Sequence, residues 1–235
     1  DEDNTKKLRN VVITKELTYL IGFMIYTFIR PSDVKTIQHK HIQLRSKNRN
    51  YLWMPIPETK KHGKAIVSMP NAVYFYNRLL ELRAKQGVTV TPDDYVFGHG
   101  INNRDTAYRQ LVRQFDVVLD EANLKLGPNG INRALYSLRH TALMFLAKKN
   151  TTIDRGAMAS NARTSTNMLD KFYLSKLENN DHVPLVCFDR PPKHSPVIVK
   201  KRLRVFFTLQ MPLLSSHAFN DLNPQFSNIY VFMPM

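Results

Sequence analysis

Apolar side chains recur at helical spacing near the start of the chain. The run covers residues 11–29 and closes at Arg30-Pro31, a pair that ends a helix. We therefore predict a largely buried helix here, followed by a short helix that Ser32 is placed to cap. The apolar positions of the run are Val12, Ile13, Leu17, Leu20, Ile21, Met24, Ile25 and Phe28.

The next segment alternates between apolar and polar residues and predicts about three antiparallel strands. A turn at residues 46–50 separates the first two strands. The connection between the last two, residues 58–64, reads Glu-Thr-Lys-Lys-His-Gly-Lys, in which the glycine favours a turn and the lysines project from it. The alternating positions are Ile42, Leu44, Tyr51, Trp53, Ile56, Ala65, Val67 and Met69.

Helical patterns return after the strands and stop before the last quarter of the chain. The segment from about residue 179 holds 7 of the 13 prolines and none of the 8 glycines, and it has no sustained periodicity. We predict a mainly helical α+β domain over residues 1–178 and a poorly specified tail over 179–235. The further predicted helices cover about 71–86, 104–124, 136–149, 153–159 and 165–177.

Composition narrows the functional classes. With 34 Lys and Arg against 19 Asp and Glu, the formal net charge is +15, which favours a polyanionic partner such as nucleic acid. The longest apolar stretch, residues 17–29, is too short for a membrane span. The chain opens Asp-Glu-Asp-Asn without a secretory signal pattern, and its single cysteine, Cys187, cannot form an internal disulfide. We therefore expect a cytoplasmic, nucleoid-associated protein.

Two arginines and a tyrosine stand at the ends of predicted elements, where their side chains could serve a site. Arg30 follows the buried helix, and a basic Arg139-His140 pair lies at the start of another helix. Positive side chains are unfavourable at a helix N-terminus, so a basic pair there suggests that an anion binds in front of the helix. Each feature alone has a simpler explanation: an arginine at a helix C-terminus complements the macrodipole, and a tyrosine such as Tyr173 is usually a core aromatic. Their order along the chain is more informative than any one of them.

That order resembles the catalytic domain of the tyrosine recombinases, the phage integrase family, over residues 8–177. Residues 28–33, Phe-Ile-Arg-Pro-Ser-Asp, resemble the segment that bears the first catalytic arginine, which gives that role to Arg30. Residues 59–63, Thr-Lys-Lys-His-Gly, resemble the hairpin turn of the catalytic lysine. Lys60 is our choice for that lysine, with Lys61 open as the alternative.

The remaining family motifs lie in the second half of the domain. Residues 136–139, Tyr-Ser-Leu-Arg, resemble the His-x-x-Arg box and make Arg139 the second arginine, with Tyr136 in place of histidine. Residues 162–164, Ala-Arg-Thr, resemble the Leu-Gly-His box, with Thr164 in place of histidine. Tyr173, nine residues after Thr164, corresponds to the nucleophile.

The resemblance implies a site-specific DNA recombinase or integrase from a mobile element. Such an enzyme uses no cofactor and no metal, and it works as a homotetramer on paired sites in double-stranded DNA. It also implies an N-terminal DNA-clamping domain, which we expect this chain to lack. Two alternatives stay open: a non-catalytic DNA-binding remnant of such an integrase, and a type IB topoisomerase.

The residue types fit the implied reaction. A tyrosine can attack a phosphodiester and hold it as an ester, two arginines can grip the non-bridging oxygens, and a lysine can protonate the leaving oxygen. Tyr136 and Thr164 can donate hydrogen bonds but cannot act as bases near neutral pH. His140 is close in sequence, although one residue further along a helix turns a side chain by about 100 degrees. Elsewhere, His39-Lys40-His41 is more typical of a solvated strand than of a metal site.

Overall fold

Helices and short strands follow one another through residues 6–57, 64–127, 130–149 and 153–171, the parts of the chain that this computed structural model describes. The predicted α+β class, mainly helical with a small three-stranded antiparallel sheet, is confirmed. The elements are β1 (Lys6–Leu8), β2 (Val11–Ile13), α1 (Lys15–Thr27), α2 (Pro31–Thr36), β3 (Gln43–Ser46), β4 (Asn50–Met54), β5 (Ile66–Val67), α3 (Asn71–Lys85), α4 (Arg104–Glu121), α5 (Leu135–Lys149), α6 (Arg155–Asn161) and α7 (Thr166–Leu169).

The first predicted helix begins later than expected. Residues 11–13 form strand β2, which pairs with β1 across a turn in which Arg9 and Asn10 adopt left-handed φ angles of 47° and 62°. Val12 is 49% exposed between two buried neighbours. That burial pattern has the period of a strand, so the helical assignment of these residues was wrong. Helix α1 starts at Lys15 and is largely buried, as predicted.

The short helix α2 is present, but Ser32 does not cap it. The N-cap is Arg30, whose backbone N–H donates to Oδ2 of Asp33 at 2.9 Å. Proline at the first helical position needs no hydrogen bond there, which allows the helix to begin directly after Arg30. Ser32 is exposed within the helix. Asp33 therefore has the capping role that we predicted for Ser32.

The three-stranded sheet follows the predicted order. Strand β4 pairs antiparallel with β3, placing Leu44 opposite Leu52, and with β5, placing Trp53 opposite Val67. The turn over residues 46–50 is where the alternation predicted it. Strand β5 is only two residues long, so Ala65 and Met69 lie outside it. The hairpin segment 58–63 lies outside the described residues.

The later helices match the prediction to within a few residues at each end. Helix α6 begins at Arg155 instead of 153 because Oδ1 of Asp154 accepts the N–H of Ala157 at 2.6 Å and caps it. Helix α7 begins at Thr166, and the predicted continuation beyond residue 171, together with the tail, lies outside the described residues. None of the described helices combines the length and the apolar character needed to cross a membrane.

Helix α1 lies at the centre of the core, in contact with both α3 and α5. At its midpoint Gly22 allows α3 to come close: a Cβ atom built on Gly22 would lie 2.3 Å from the ring of Phe75. That ring also stacks on Tyr26, with ring centroids 5.7 Å apart. This close packing fixes the position of α1 against α3. Arg30 follows shortly after the end of α1.

Gly22→Ala is expected to destabilise the protein by about 1 to 3 kcal/mol, because the added methyl overlaps the Phe75 ring. Without that contact, alanine in a helix interior would stabilise by about 1 kcal/mol. Urea unfolding measures the difference. In a double-mutant cycle with Phe75→Ala, the combined loss should be smaller than the sum of the single losses. A gain in stability for Gly22→Ala alone would contradict the contact.

Candidate active site

Arg139 lies in α5 and reaches the ends of two other helices. Its side chain is only 1% exposed. Nη1 donates to the carbonyl of Phe28 at the end of α1, and Nη2 donates to the carbonyl of Ala162 at the end of α6. A planar guanidinium held by two carbonyls has little freedom to rotate. The second arginine of the predicted pair is thus held rigidly at a junction of three helices.

Arg30 joins the same junction from α2. It is half-buried, and its Nη2 donates to the carbonyl of Arg163. The carbonyls that hold Arg139 and Arg30 therefore belong to consecutive residues, Ala162 and Arg163. The structure brings together the two arginines that the sequence placed in one site, although they are far apart along the chain.

Two residues of this junction have left-handed backbone angles. Phe28 has a φ of 61° and Arg163 a φ of 54°. At Arg163 the chain leaves α6 in a Schellman turn: the N–H of Arg163 bonds to Ser160 at 3.0 Å, and that of Thr164 bonds to Ala159 at 2.9 Å. Glycine normally occupies the position of Arg163. Strained residues of this kind cluster at functional sites, and here both supply carbonyls to the arginines.

Asp33 and Arg163 form a buried ion pair beside Arg30. Nη1 of Arg163 lies 3.5 Å from Oδ1 of Asp33, and their side chains are 2% and 1% exposed. The other carboxylate oxygen, Oδ2, accepts the backbone N–H of Arg30. Neither residue has a role in the motifs described above. The available signals were an acidic residue three positions after a helix start and an arginine where a helix-ending glycine is usual.

The junction carries an excess of positive charge. Three guanidinium groups, those of Arg30, Arg139 and Arg163, share it with one carboxylate, that of Asp33. Burial lowers the pKa of Arg30; the charge of Arg139 lowers it further, Asp33 opposes this, and Arg163 adds to the lowering. Arginine remains protonated in spite of such shifts. The site therefore has the electrostatic character of an anion-binding site.

The two positions that depart from the family motifs lie at the edge of this junction. Tyr136 is 44% exposed at the start of α5, and its phenol interacts electrostatically with Arg30. The ring of His140 lies one turn further along, edge-on to that of Tyr136, with centroids 5.2 Å apart. Thr164 is half-buried and follows the Schellman turn directly. His140 is thus a neighbour of Tyr136 within the site region.

Strand β5 is bonded to the last turn of α6, next to the arginine junction. The side chain of Asn161 makes two hydrogen bonds to the backbone of Val67, at 2.7 and 2.9 Å. Nζ of Lys64 donates to Oγ of Ser160 at 3.1 Å. One edge of the sheet is therefore fixed to the last turn of α6. Lys60 and Lys61 lie outside the described residues, so their roles stay predictions.

The segment that leads to Tyr173 begins close to α6. Arg155 at the start of α6 donates to the carboxylate of Asp170 at 3.0 Å, and α6 contacts α7. Oγ of Ser165 accepts the N–H of Met168 at 3.2 Å and caps α7. Tyr173 itself lies outside the described residues, and its role as nucleophile stays a prediction.

The histidines of residues 39–41 form no metal centre with their described neighbours. They lie in a single 3-10 turn rather than in the predicted strand. Nδ1 of His39 lies 2.8 Å from the hydroxyl of Tyr76, and burial lowers the pKa of His39 to about 4. A neutral histidine bonded to a tyrosine is typical of a structural role. Within the described ranges no group of three or more His, Cys, Asp or Glu side chains could hold a metal ion.

Comparison with known proteins does not assign the chain to a family. Neither the models of known protein families nor the curated proteins match the sequence. The functional assignment therefore depends on the residues and their geometry.

Proposed function

We propose that this chain is the catalytic part of a DNA strand-exchange enzyme of the tyrosine recombinase type. The observation that carries the proposal is the junction in which Arg139 and Arg30 are bound by the consecutive carbonyls of Ala162 and Arg163. These are the two arginines that the motif order assigned to one phosphate. If the motifs resembled the family only by coincidence, there would be no reason for two arginines distant in sequence to donate to carbonyls of the same backbone turn.

In the proposed reaction the phenol oxygen of Tyr173 attacks the phosphorus of a DNA phosphodiester. A bond forms between that oxygen and phosphorus, and the phenol proton is lost to solvent water. The bond to the 5′ oxygen breaks, and Lys60 gives the departing oxygen its proton. The product is a 3′-phosphotyrosine linkage and a free 5′ hydroxyl. Attack by a 5′ hydroxyl of another strand reverses the step and rejoins the DNA. Arg30 and Arg139 stabilise the charge that develops on the non-bridging oxygens.

The surroundings of the junction support this assignment of roles. Lys64 and strand β5, which follow residues 58–63 in the sequence, are bonded to Ser160 and Asn161 at the end of α6, beside the carbonyls that hold the arginines. Asp170, three residues before Tyr173 in the sequence, forms an ion pair with Arg155 of α6. Lys64, directly after the hairpin segment, and Asp170, three residues before Tyr173, are thus both bonded to α6. Tyr136 at the rim can donate a hydrogen bond to phosphate.

The charge distribution supports DNA as the partner. Of the charged residues, 27 basic and 15 acidic ones lie at or before Tyr173, so most of the positive charge belongs to the proposed catalytic domain. The turn between β3 and β4 is exposed and carries Lys47 and Arg49. Next to it, the guanidinium of Arg45 lies 3.8 Å from the centre of the Trp53 ring. Lysines and arginines on such a surface neutralise backbone phosphates.

The proposal is tested by trapping the covalent intermediate. The full chain is incubated in EDTA with nicked duplex DNA that carries the sequence flanking its gene, and the products are separated on a denaturing gel. The nick releases a short strand after cleavage, so that rejoining is prevented. We expect a protein-DNA adduct, and peptide mass spectrometry should place the phosphotyrosine on the peptide that contains Tyr173.

A native gel and a plasmid relaxation assay, run beside the trapping experiment, distinguish the alternatives. A non-catalytic DNA-binding remnant would shift the DNA on a native gel at low salt but give no adduct. A topoisomerase would relax supercoiled plasmid as a monomer, whereas a recombinase would assemble as a tetramer on paired sites. Binding without any adduct, at protein concentrations that saturate the DNA, would refute the proposed strand exchange and favour the remnant.

A further inference from the structure

The buried polar atoms without hydrogen-bond partners are concentrated at one place in the described structure. Each buried side-chain nitrogen or oxygen that lacks a partner there belongs to Arg30, Asp33 or Arg163. They are Nη1 of Arg30, Oδ1 of Asp33, and Nε, Nη1 and Nη2 of Arg163. Buried polar groups in folded proteins nearly always have partners, so such a cluster calls for an explanation.

The described residues do not supply enough acceptors for these donors. Four nitrogens of two guanidinium groups stand against one carboxylate oxygen, Oδ1 of Asp33. Nη1 of Arg163 lies 3.5 Å from that oxygen, close enough for an ion pair but without hydrogen-bond geometry. Burying a guanidinium group without partners is costly. An external group with several acceptor oxygens and negative charge would remove this deficit.

The side chain of Arg163 is not needed for the turn that it occupies. At a φ of 54° a glycine would complete the Schellman turn with less strain. An arginine here adds a buried charge to a site that already contains Arg30 and Arg139. Its side chain is 2% exposed, and it points to the carboxylate that caps the Arg30 backbone. Both the strain and the charge need a compensating gain.

We propose that Arg163 is a third arginine of the anion site, and that with Arg30 it binds the non-bridging oxygens of a phosphate group. A tetrahedral oxyanion offers enough lone pairs for the donors that Asp33 leaves without partners. That the anion is the phosphodiester under attack rests on the proposed function. Binding of a phosphate group by Arg163 rests on the buried donors alone.

The test measures phosphate binding without DNA. Thermal unfolding of the full chain is followed while inorganic phosphate replaces chloride at constant ionic strength. We expect phosphate to raise the melting temperature, since a ligand that binds the folded state stabilises it. Arg163→Gly should weaken the phosphate affinity derived from this titration at least about tenfold. Arg113→Ala, which removes an exposed arginine of α4, should leave the affinity unchanged.

A second variant separates phosphate binding from folding. Arg163→Lys keeps the positive charge beside Asp33 but loses the forked donors, so its affinity should lie between those of wild type and Arg163→Gly. Equal phosphate affinity in wild type and both variants would overturn the proposal. So would the absence of any phosphate effect on the wild type.

The outcomes also distinguish this proposal from the proposed function. Unchanged phosphate affinity in Arg163→Gly, with a normal adduct on nicked DNA, would remove Arg163 from the site and leave strand exchange standing. Phosphate binding that depends on Arg163, without an adduct in the wild type, would support the anion site and refute strand exchange.

Discussion

Tyr173→Phe is expected to abolish the covalent DNA adduct while leaving DNA binding unchanged. The variant loses one oxygen atom, which is the proposed nucleophile, and keeps the aromatic ring. Loss of a nucleophile reduces turnover by at least about 10⁴-fold in comparable enzymes, so no adduct should be visible on the gel. Binding depends on contacts to backbone phosphates and should be the same in a native gel at equal salt concentration.

The matched control for this prediction is Tyr19→Phe, which removes a phenol oxygen from a partly buried tyrosine of α1. Its adduct should form at the wild-type rate. Mass spectrometry of the wild-type adduct provides a second control, because an adduct at another tyrosine would move the nucleophile role elsewhere. An adduct of normal yield in Tyr173→Phe would show that the motif order assigned the wrong residue.

Arg139→Ala is expected to have the largest combined effect on stability and cleavage. The substitution leaves the buried carbonyls of Phe28 and Ala162 without their donor. Each buried group without a partner costs about 1 to 3 kcal/mol, so the free energy of unfolding should fall by about 2 to 5 kcal/mol. Cleavage should fall by roughly 10³-fold or more, because one of the phosphate-stabilising charges is lost.

Two comparison variants separate the effect of Arg139→Ala on stability from its effect on cleavage. Arg139→Lys retains the charge but cannot reach both carbonyls, so its stability should lie between those of the wild type and Arg139→Ala. Arg113→Ala should change stability by less than about 0.5 kcal/mol, as is usual for surface positions. Cleavage is compared at a temperature at which circular dichroism shows every variant to be folded. If Arg139→Ala had the same free energy of unfolding as the wild type, the hydrogen bonds from Arg139 to Phe28 and Ala162 would be contradicted.

The sequence predicted the helices and strands whose position along the chain depends on the spacing of apolar residues. Helices α1, α3, α4 and α5 bury an apolar face, and the spacing of their apolar residues reports that face directly. The alternation located the strands but not their buried face: β3 is exposed throughout, and β4 buries Leu52 and Met54 instead of the predicted Tyr51 and Trp53. The same reasoning failed at Val12, which is apolar and exposed. Periodicity cannot distinguish a short strand that joins a helix from the first turn of that helix, because two or three residues do not define a period.

For the site, the sequence and the tertiary structure each determined a different part. The resemblance of the motifs to those of the tyrosine recombinases singled out Arg30 and Arg139 as partners, and Lys60 and Tyr173 remain predictions of that resemblance. Only the tertiary structure decided that the arginines meet at Ala162 and Arg163, and that Arg163 and Asp33 lie buried beside them. The reason is physical: a periodic pattern records which side of an element faces the core. The partner of a guanidinium group is chosen by whichever distant backbone the folded chain brings within hydrogen-bond distance.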